Sequence, residues 1–337
     1  MDDGVLLRVT GLRKLFDIRR GMFGRVSGQV RAVDGVSFDL HYGETLGLVG
    51  ESGCGKTTVG RTILRALAPT AGSILFRPEA GGSTYDLARM EQDELRKIRP
   101  KMQMIFQDPY SSLSPRMTVR DIVGEPVVVN RLAEGRRLDD MVQAMLGQVG
   151  LNPQYLRRYP HAFSGGQRQR IGIARALILH PSFIVADEPL SALDVSVQAQ
   201  ILELLVDLRR RLGLSCLFIS HDLSVVRYIS DRVGVMYVGK LVELADKHEL
   251  YGHPMHPYTL TLLAAIPRAD PDIRQDFELL TGEVADPAHP PPGCYFHPRC
   301  PHAQEVCRQK EPEYRDLGTG GRQHWVACHR AEELTLS

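Results

Sequence analysis

HYGETLGLVGESGCGKTTVGRTIL, residues 41–64, is the stretch whose reading decides the fold. An apolar run from Thr45 to Val49 passes into a glycine-rich turn and then into a pattern that predicts a helix from Lys56 toward Leu67. Gly50-Glu51-Ser52-Gly53-Cys54-Gly55-Lys56-Thr57 fits G-x-x-x-x-G-K-[ST] in the strand, turn and helix order that gives this motif its meaning. Gly50, Gly53 and Gly55 let the backbone turn N–H groups inward around phosphate oxygens, and the helix N-terminus adds partial positive charge. Lys56 supplies a point charge to the outer phosphates and Thr57 a hydroxyl to Mg²⁺. The whole segment through Thr58 is the candidate ATP-binding loop, with Cys54 expected as a small side chain facing away from the phosphates. A glycine turn that binds nothing is the competing reading, and the placement speaks against it.

Outward from the loop, PSFIVADEP (181–189) and LSCLFISHD (214–222) read as further short buried strands, with helices at VQAQILELLVDLRRRLG and SVVRYISD. This alternation predicts an α/β core with a largely parallel sheet. Asp187 and Glu188 follow a buried apolar strand, where an unpaired carboxylate is costly, so a metal or water partner is expected. Asp187 can hold Mg²⁺ through its water shell, and Glu188 can polarise an attacking water. A helix cap is the structural alternative. From Asp108 to Ala176 helical periodicity broken by prolines predicts an inserted helical subdomain, and DRVGVMYVGKLVELAD alternates like a hairpin.

The 337 residues are 43% hydrophobic, enough for one large core and a smaller appendage. Lys+Arg (41) balances Asp+Glu (40), so nothing global argues for a nucleic-acid partner. No run approaches the ~18–20 apolar residues of a membrane helix, and the start MDDGVLLRVT lacks the pattern of a secretion signal, so a cytosolic location is expected. In that reducing compartment Cys294, Cys300, Cys307 and Cys328 are expected as metal ligands in preference to disulfides. Their C-x5-C-x6-C-x20-C spacing fits a zinc ribbon poorly, although longer loops can bring four thiolates onto zinc or an iron–sulfur cluster. His297, His302, His324 and His329 keep a mixed site open. Few aliphatic residues are available there, and a metal can supply folding energy of about 10 kcal/mol. Cys216, inside an apolar strand, is expected as a buried small hydrophobe.

HAFSGGQRQRIGIARAL, with Ser164-Gly165-Gly166-Gln167 ahead of a basic helix, resembles the signature of ATP-binding-cassette proteins. Gln107 in MIFQDP, SALD at 191–194 and His221 in FISHD complete the family's motifs in order. The resemblance implies a P-loop NTPase of the ABC cassette type, with a RecA-like core and an inserted helical subdomain. It also implies two cassettes docked head to tail, each ATP lying between one phosphate loop and the facing Ser164, Gly165, Gly166 and Gln167. By the same resemblance Gln107 touches Mg²⁺ and senses the membrane partner, His221 bonds the γ-phosphate, Asp194 links the two sites and Phe16 stacks on adenine. A core role for Phe16 stays open. A protein that binds ATP without hydrolysing it is disfavoured by the presence of both Glu188 and His221.

Three further stretches resemble the ATP-binding subunits of oligopeptide/dipeptide importers, the second such subunit most closely. They are FDIRRGMFGRVSGQVRAVDGVSF (16–38), FQDPYSSLSPRMTV (106–119) and HPMHPYTLTLLAAIP (253–267). This implies a nucleotide-binding domain over 1–240, its helical subdomain at about 108–176. A C-terminal extension follows over 241–337, with a cysteine module at about 290–330. Implied partners are two membrane permeases, a second ATP-binding subunit and, indirectly, an extracytoplasmic solute-binding protein, with the chain at the cytoplasmic face of the inner membrane. A [4Fe–4S] cluster on all four cysteines is implied too, zinc being the alternative. The HPMHPYT histidines are expected to cap or face solvent. The rival class is a soluble cassette ATPase acting on DNA with a cysteine-bound metal module. A single cassette, cysteines placed after it and balanced charge oppose that class, and no nucleic-acid partner is expected.

Overall fold

The computed structural model describes residues 1–20, 25–266 and 282–334. Part of the basic, glycine-rich stretch at 16–38 therefore lies outside the described residues. In chain order the strands are β1 (Val5–Arg20), β2 (Arg25–His41), β3 (Thr45–Val49), β4 (Ala71–Phe76), β5 (Tyr85–Asp86) and β6 (Met102–Ile105), followed by β7 (Phe183–Asp187), β8 (Ser215–Ile219), β9 (Arg232–Tyr237), β10 (Lys240–Asp246), β11 (Arg315–Asp316) and β12 (His324–Val326). The helices are α1 (Lys56–Ile63), α2 (Gln92–Ile98), α3 (Val119–Val129), α4 (Gly135–Gln148), α5 (Gly165–Leu177), α6 (Val195–Leu212), α7 (Leu223–Ile229), α8 (Lys247–Gly252), α9 (Pro257–Ala264) and α10 (Glu305–Gln309). They fall into two compact units that alternate along the chain.

One unit comprises Met1–Leu7, Leu40–Thr45 and Leu75–Ile219. Here β6, β7 and β8 run parallel, with Ile105 beside Ala186 and Asp187 beside Ile219. β7 and β8 are buried along their whole length, as continuous apolar runs between covering layers should be. Cys216 is buried in β8, and burial pushes its thiol up to about 12, which fits an inert packing role. Helix α3 starts at Thr118, whose Oγ accepts from the Asp121 N–H, and packs on α4 and α5.

The other unit comprises Arg8–Asp39, Leu46–Ile74 and the described part of Ser220–Ser337. β3 runs parallel to β9, pairing Leu46 with Arg232 through Val49 with Val235. β9 and β10 form the expected hairpin, closed by Val238 and Gly239 with φ 42° and 79°. The chain after residue 300 then adds β12 antiparallel to β10, and β11 to β12. Helix α1 stops at Ile63, before the predicted Leu67, because Arg65 turns left-handed (φ 55°) and the Ala66 and Leu67 N–H groups both bond back to the Arg61 carbonyl. No helix among the described residues is long and apolar enough to cross a membrane.

Candidate functional site

The glycine-rich loop leaves buried β3 and enters α1 by a chain path that requires its glycines. Gly50, Gly53 and Gly55 have φ of 148°, 79° and 107°. A Cβ on Gly50 would stand 2.2 Å from the Met236 carbonyl oxygen, and one on Gly55 2.1 Å from that of Ala32. The backbone thus passes flush against the end of β9. Lys56, 4% exposed, donates from Nζ to the carbonyls of Gly50 (2.7 Å) and Glu51 (2.9 Å). Ser52 and Gly53 lie at the exposed crest, and the Gly239 N–H holds the loop's far side through the Cys54 carbonyl at 2.8 Å. The Cys54 thiol is buried, 3.7 Å from Lys56 Nζ, and burial raises its pKa. Thr57 and Thr58 are half-buried in the first turn of α1, where Thr58 offers its carbonyl to Thr62 Oγ at 2.6 Å. In the same unit Phe16 projects from β1 with 38% of its surface exposed and Lys14 Nζ 4.9 Å from its ring centre, so it is no core residue. His221 follows β8 at the surface.

The remaining candidate residues belong to the first unit. Asp187, 1% exposed, ends β7, and Glu188 follows in the left-handed region with φ 44°. That turn sends the Glu188 N–H to the Ile219 carbonyl (2.9 Å), while Oε2 accepts from Gln107 Nε2 at 2.9 Å. The register makes the second contact possible, since β6 ends beside β7 and Gln107 follows β6 by two residues. Ser164 caps α5: its Oγ accepts from the Gln167 N–H at 3.4 Å, and Gln167 Oε1 accepts from the Ser164 N–H at 3.1 Å. Gly165 and Gly166 form the first turn, and a Cβ on Gly166 would stand 2.4 Å from Val197 Cγ1. Asp194 caps α6, accepting from the Val197 N–H (3.0 Å) and Ser196 Oγ (2.8 Å), bonds that lower its pKa.

Cys294, Cys300, Cys307 and Cys328 line one small cavity of about 20 Å³ together with His256, His297, His302 and His329. Burial raises the thiols of Cys294, to about 12, of Cys328, to about 11, and of Cys300, with neighbouring cysteines adding to all three. A four-thiol lining suits a thiophilic ion, whose binding would reverse those shifts. The expected convergence goes no further than this shared lining: among the described residues no group of three or more His, Cys, Asp or Glu side chains is arranged to hold a metal ion. His324 lies elsewhere, its Nε2 2.7 Å from Glu243 Oε1. His256 caps α9 through Nδ1, which accepts from the Tyr258 N–H at 3.1 Å.

Two residues that carry no motif of their own reach the glycine-rich loop. Arg299 grips both carboxylate oxygens of Glu51 (2.8 and 3.0 Å), and Tyr258 Oη accepts from the Glu51 N–H at 2.9 Å. Their only sequence signal is membership of HPYT and of the cysteine stretch.

Residues 33–191 match the ABC transporter family model, and residues 242–307 match that of the oligopeptide/dipeptide transporter C-terminal region. The oligopeptide transport ATP-binding protein AppF of Bacillus subtilis (strain 168) is 51% identical over 96% of this chain and 97% of its own. OppF, the corresponding protein of Salmonella typhimurium, is 48% identical over 98% and 97%. The chain belongs to the ATP-binding subunits of oligopeptide-type ABC transporters. A dimeric post-hydrolysis structure of the ATP-binding cassette MJ0796 bound to ADP and Pi superimposes with a TM-score of 0.62 at 26% identity, covering 72% of this chain and 99% of that one. The fold is the ABC cassette, and the protein is an ATPase whose hydrolysis is coupled to transport. The DNA-acting alternative is not supported. The arginines of α5 bond inside the unit: Arg168 to the Pro160 and Phe163 carbonyls, Arg170 to that of Val149 and Arg175 to that of Ser112.

Proposed function

We propose that this ABC subunit powers import of peptides, working at the cytoplasmic face of the inner membrane with two permeases, a second ATP-binding subunit and an extracytoplasmic solute-binding protein. The nucleotide-binding domain spans 1–240, with its helical subdomain at about 108–176, and the extension 241–337. ATP lies in the loop Gly50–Thr58, with Phe16 against adenine and Lys56 at the outer phosphates. Thr57, Gln107 and Asp187 hold Mg²⁺, which neutralises phosphate charge when bound. Ser164, Gly165, Gly166 and Gln167 meet the γ-phosphate held by the facing cassette, and Asp194 links the two sites.

Glu188 takes the proton of the attacking water, and His221 orients the γ-phosphate. The Gln107–Glu188 hydrogen bond carries this reading, because it couples the residue assigned to sense the permease directly to the assigned base. A shift of Gln107 when the permeases move frees or holds the carboxylate, which ties hydrolysis to transport. Glu188→Gln in the assembled transporter tests it: ATP binding is expected to persist while turnover falls by about 10²–10³. Multiple-turnover hydrolysis near the wild-type rate refutes the assignment.

For the tail, Cys294, Cys300, Cys307 and Cys328 hold a [4Fe–4S] cluster, with zinc as the second reading. The shared cavity supports it. The group would crosslink a segment poor in aliphatic residues. An anaerobic preparation should be brown and contain iron, and a colourless zinc-loaded protein overturns the cluster.

A further inference from the structure

We propose that Arg299 and Tyr258, in the C-terminal extension, are positioning residues for ATP, acting through Glu51 on the phosphate loop. The inference rests on the reading of Gly50–Thr58 as the phosphate site. The motif leaves the second loop position open, and here it carries a carboxylate. An acidic group among N–H donors and a lysine that receive a polyanion opposes binding unless it is neutralised and turned away. Arg299 does both. Its side chain is 6% exposed, and the guanidinium takes both Glu51 oxygens in the planar two-bond fork that fixes orientation as well as charge.

Tyr258 fixes the same residue by its main chain, since Oη accepts from the Glu51 N–H. That ring is fully buried and held edge-on by Tyr237 (4.8 Å between centres), with Phe296 tilted against it at 5.3 Å. The Glu51 carbonyl in turn accepts from Lys56 Nζ and, at 3.3 Å, from the Cys54 N–H. Every polar group of Glu51 is therefore engaged, and the sequence of bonds runs from the extension through Glu51 to the lysine of the motif. Arg299 immediately precedes Cys300, so order in the cysteine module is order in the clamp.

The test is steady-state hydrolysis of Mg·ATP by the full chain in the assembled transporter. In Arg299→Gln the KM for Mg·ATP is expected to rise about tenfold with kcat within about threefold, and Arg299→Lys to recover part of it. Glu51→Gln combined with Arg299→Gln should be no weaker than Arg299→Gln alone, because the two changes remove one interaction. Tyr258→Phe, which removes one oxygen and keeps the aromatic core, should raise KM by about threefold. Arg322→Gln, which cuts a surface ion pair to Glu249 on the same extension, should keep the wild-type KM. An unchanged KM in Arg299→Gln overturns the proposal, and should that variant not fold, an unchanged KM in Tyr258→Phe does so. Equal shifts in Arg322→Gln, or losses that multiply in the double variant, overturn it as well. Lys56→Ala separates the two levels: wild-type binding of Mg·ATP by that variant removes the phosphate-loop reading itself, whereas lost binding leaves the clamp to be judged by its own variants.

Discussion

Glu188 makes the largest demand on the backbone among the assigned residues. A non-glycine residue at φ 44° costs about 1–3 kcal/mol, and the turn spends this on aiming the carboxylate at Gln107 and the N–H at Ile219. Phe16 stands at the other end of the scale. Its exposed ring offers one stacking face, worth about 1–3 kcal/mol by analogy with bases on aromatics. Phe16→Ala is therefore expected to weaken ATP binding by about 5–150-fold in an equilibrium titration while kcat at saturating ATP stays near wild type. Loss of kcat with unchanged affinity would place Phe16 elsewhere in the mechanism.

Two of the three glycines in helix α5, Gly166 and Gly172, have opposite expected responses. A methyl group on Gly166 meets Val197 Cγ1 at 2.4 Å, so Gly166→Ala should destabilise by about 1–3 kcal/mol and tilt the Ser164 turn, with ATPase activity falling. Gly172 in the same helix has nothing within 4 Å of such a methyl, so Gly172→Ala should stabilise by about 0.5–1 kcal/mol with activity kept. Thermal melting and phosphate release on both variants check the pair. Elements of this kind were legible in the sequence because their signals are local. The phosphate loop, the Ser164-Gly165-Gly166-Gln167 signature and the β9–β10 hairpin each declare themselves within a few residues. What escaped was non-local. The 16- and 17-residue strands β1 and β2 run into and out of a stretch that reads as basic and glycine-rich, and β11 and β12 are too short for a periodic signal. Arg299 and Glu51 are 248 residues apart, and no pattern on either one names the other. The four cysteines were legible as a group, but spacing alone does not give their geometry.

At the scale of the whole molecule, one buried histidine ties stability to pH. Burial pushes His256 down to about 4 from its ordinary 6.5, so it stays neutral and caps α9 through Nδ1. Between those values the unfolded chain binds a proton that the folded chain does not, so stability falls as pH drops from 6.5 toward 4, by up to ~1.4 kcal/mol per pH unit. His256→Asn retains a capping side chain without a titrating group, and its denaturation midpoint should vary less with pH across that window. Equal slopes in both proteins would contradict the assignment.

The central claim is that hydrolysis directed by Glu188 drives solute through partner permeases. The most direct measurement is uptake of a labelled peptide mixture into vesicles that carry the complete transporter and its binding protein, with ATP supplied on the side of this subunit. Wild-type vesicles are expected to accumulate peptide, and Glu188→Gln vesicles to bind ATP yet accumulate none. Equal accumulation by the two would contradict the account.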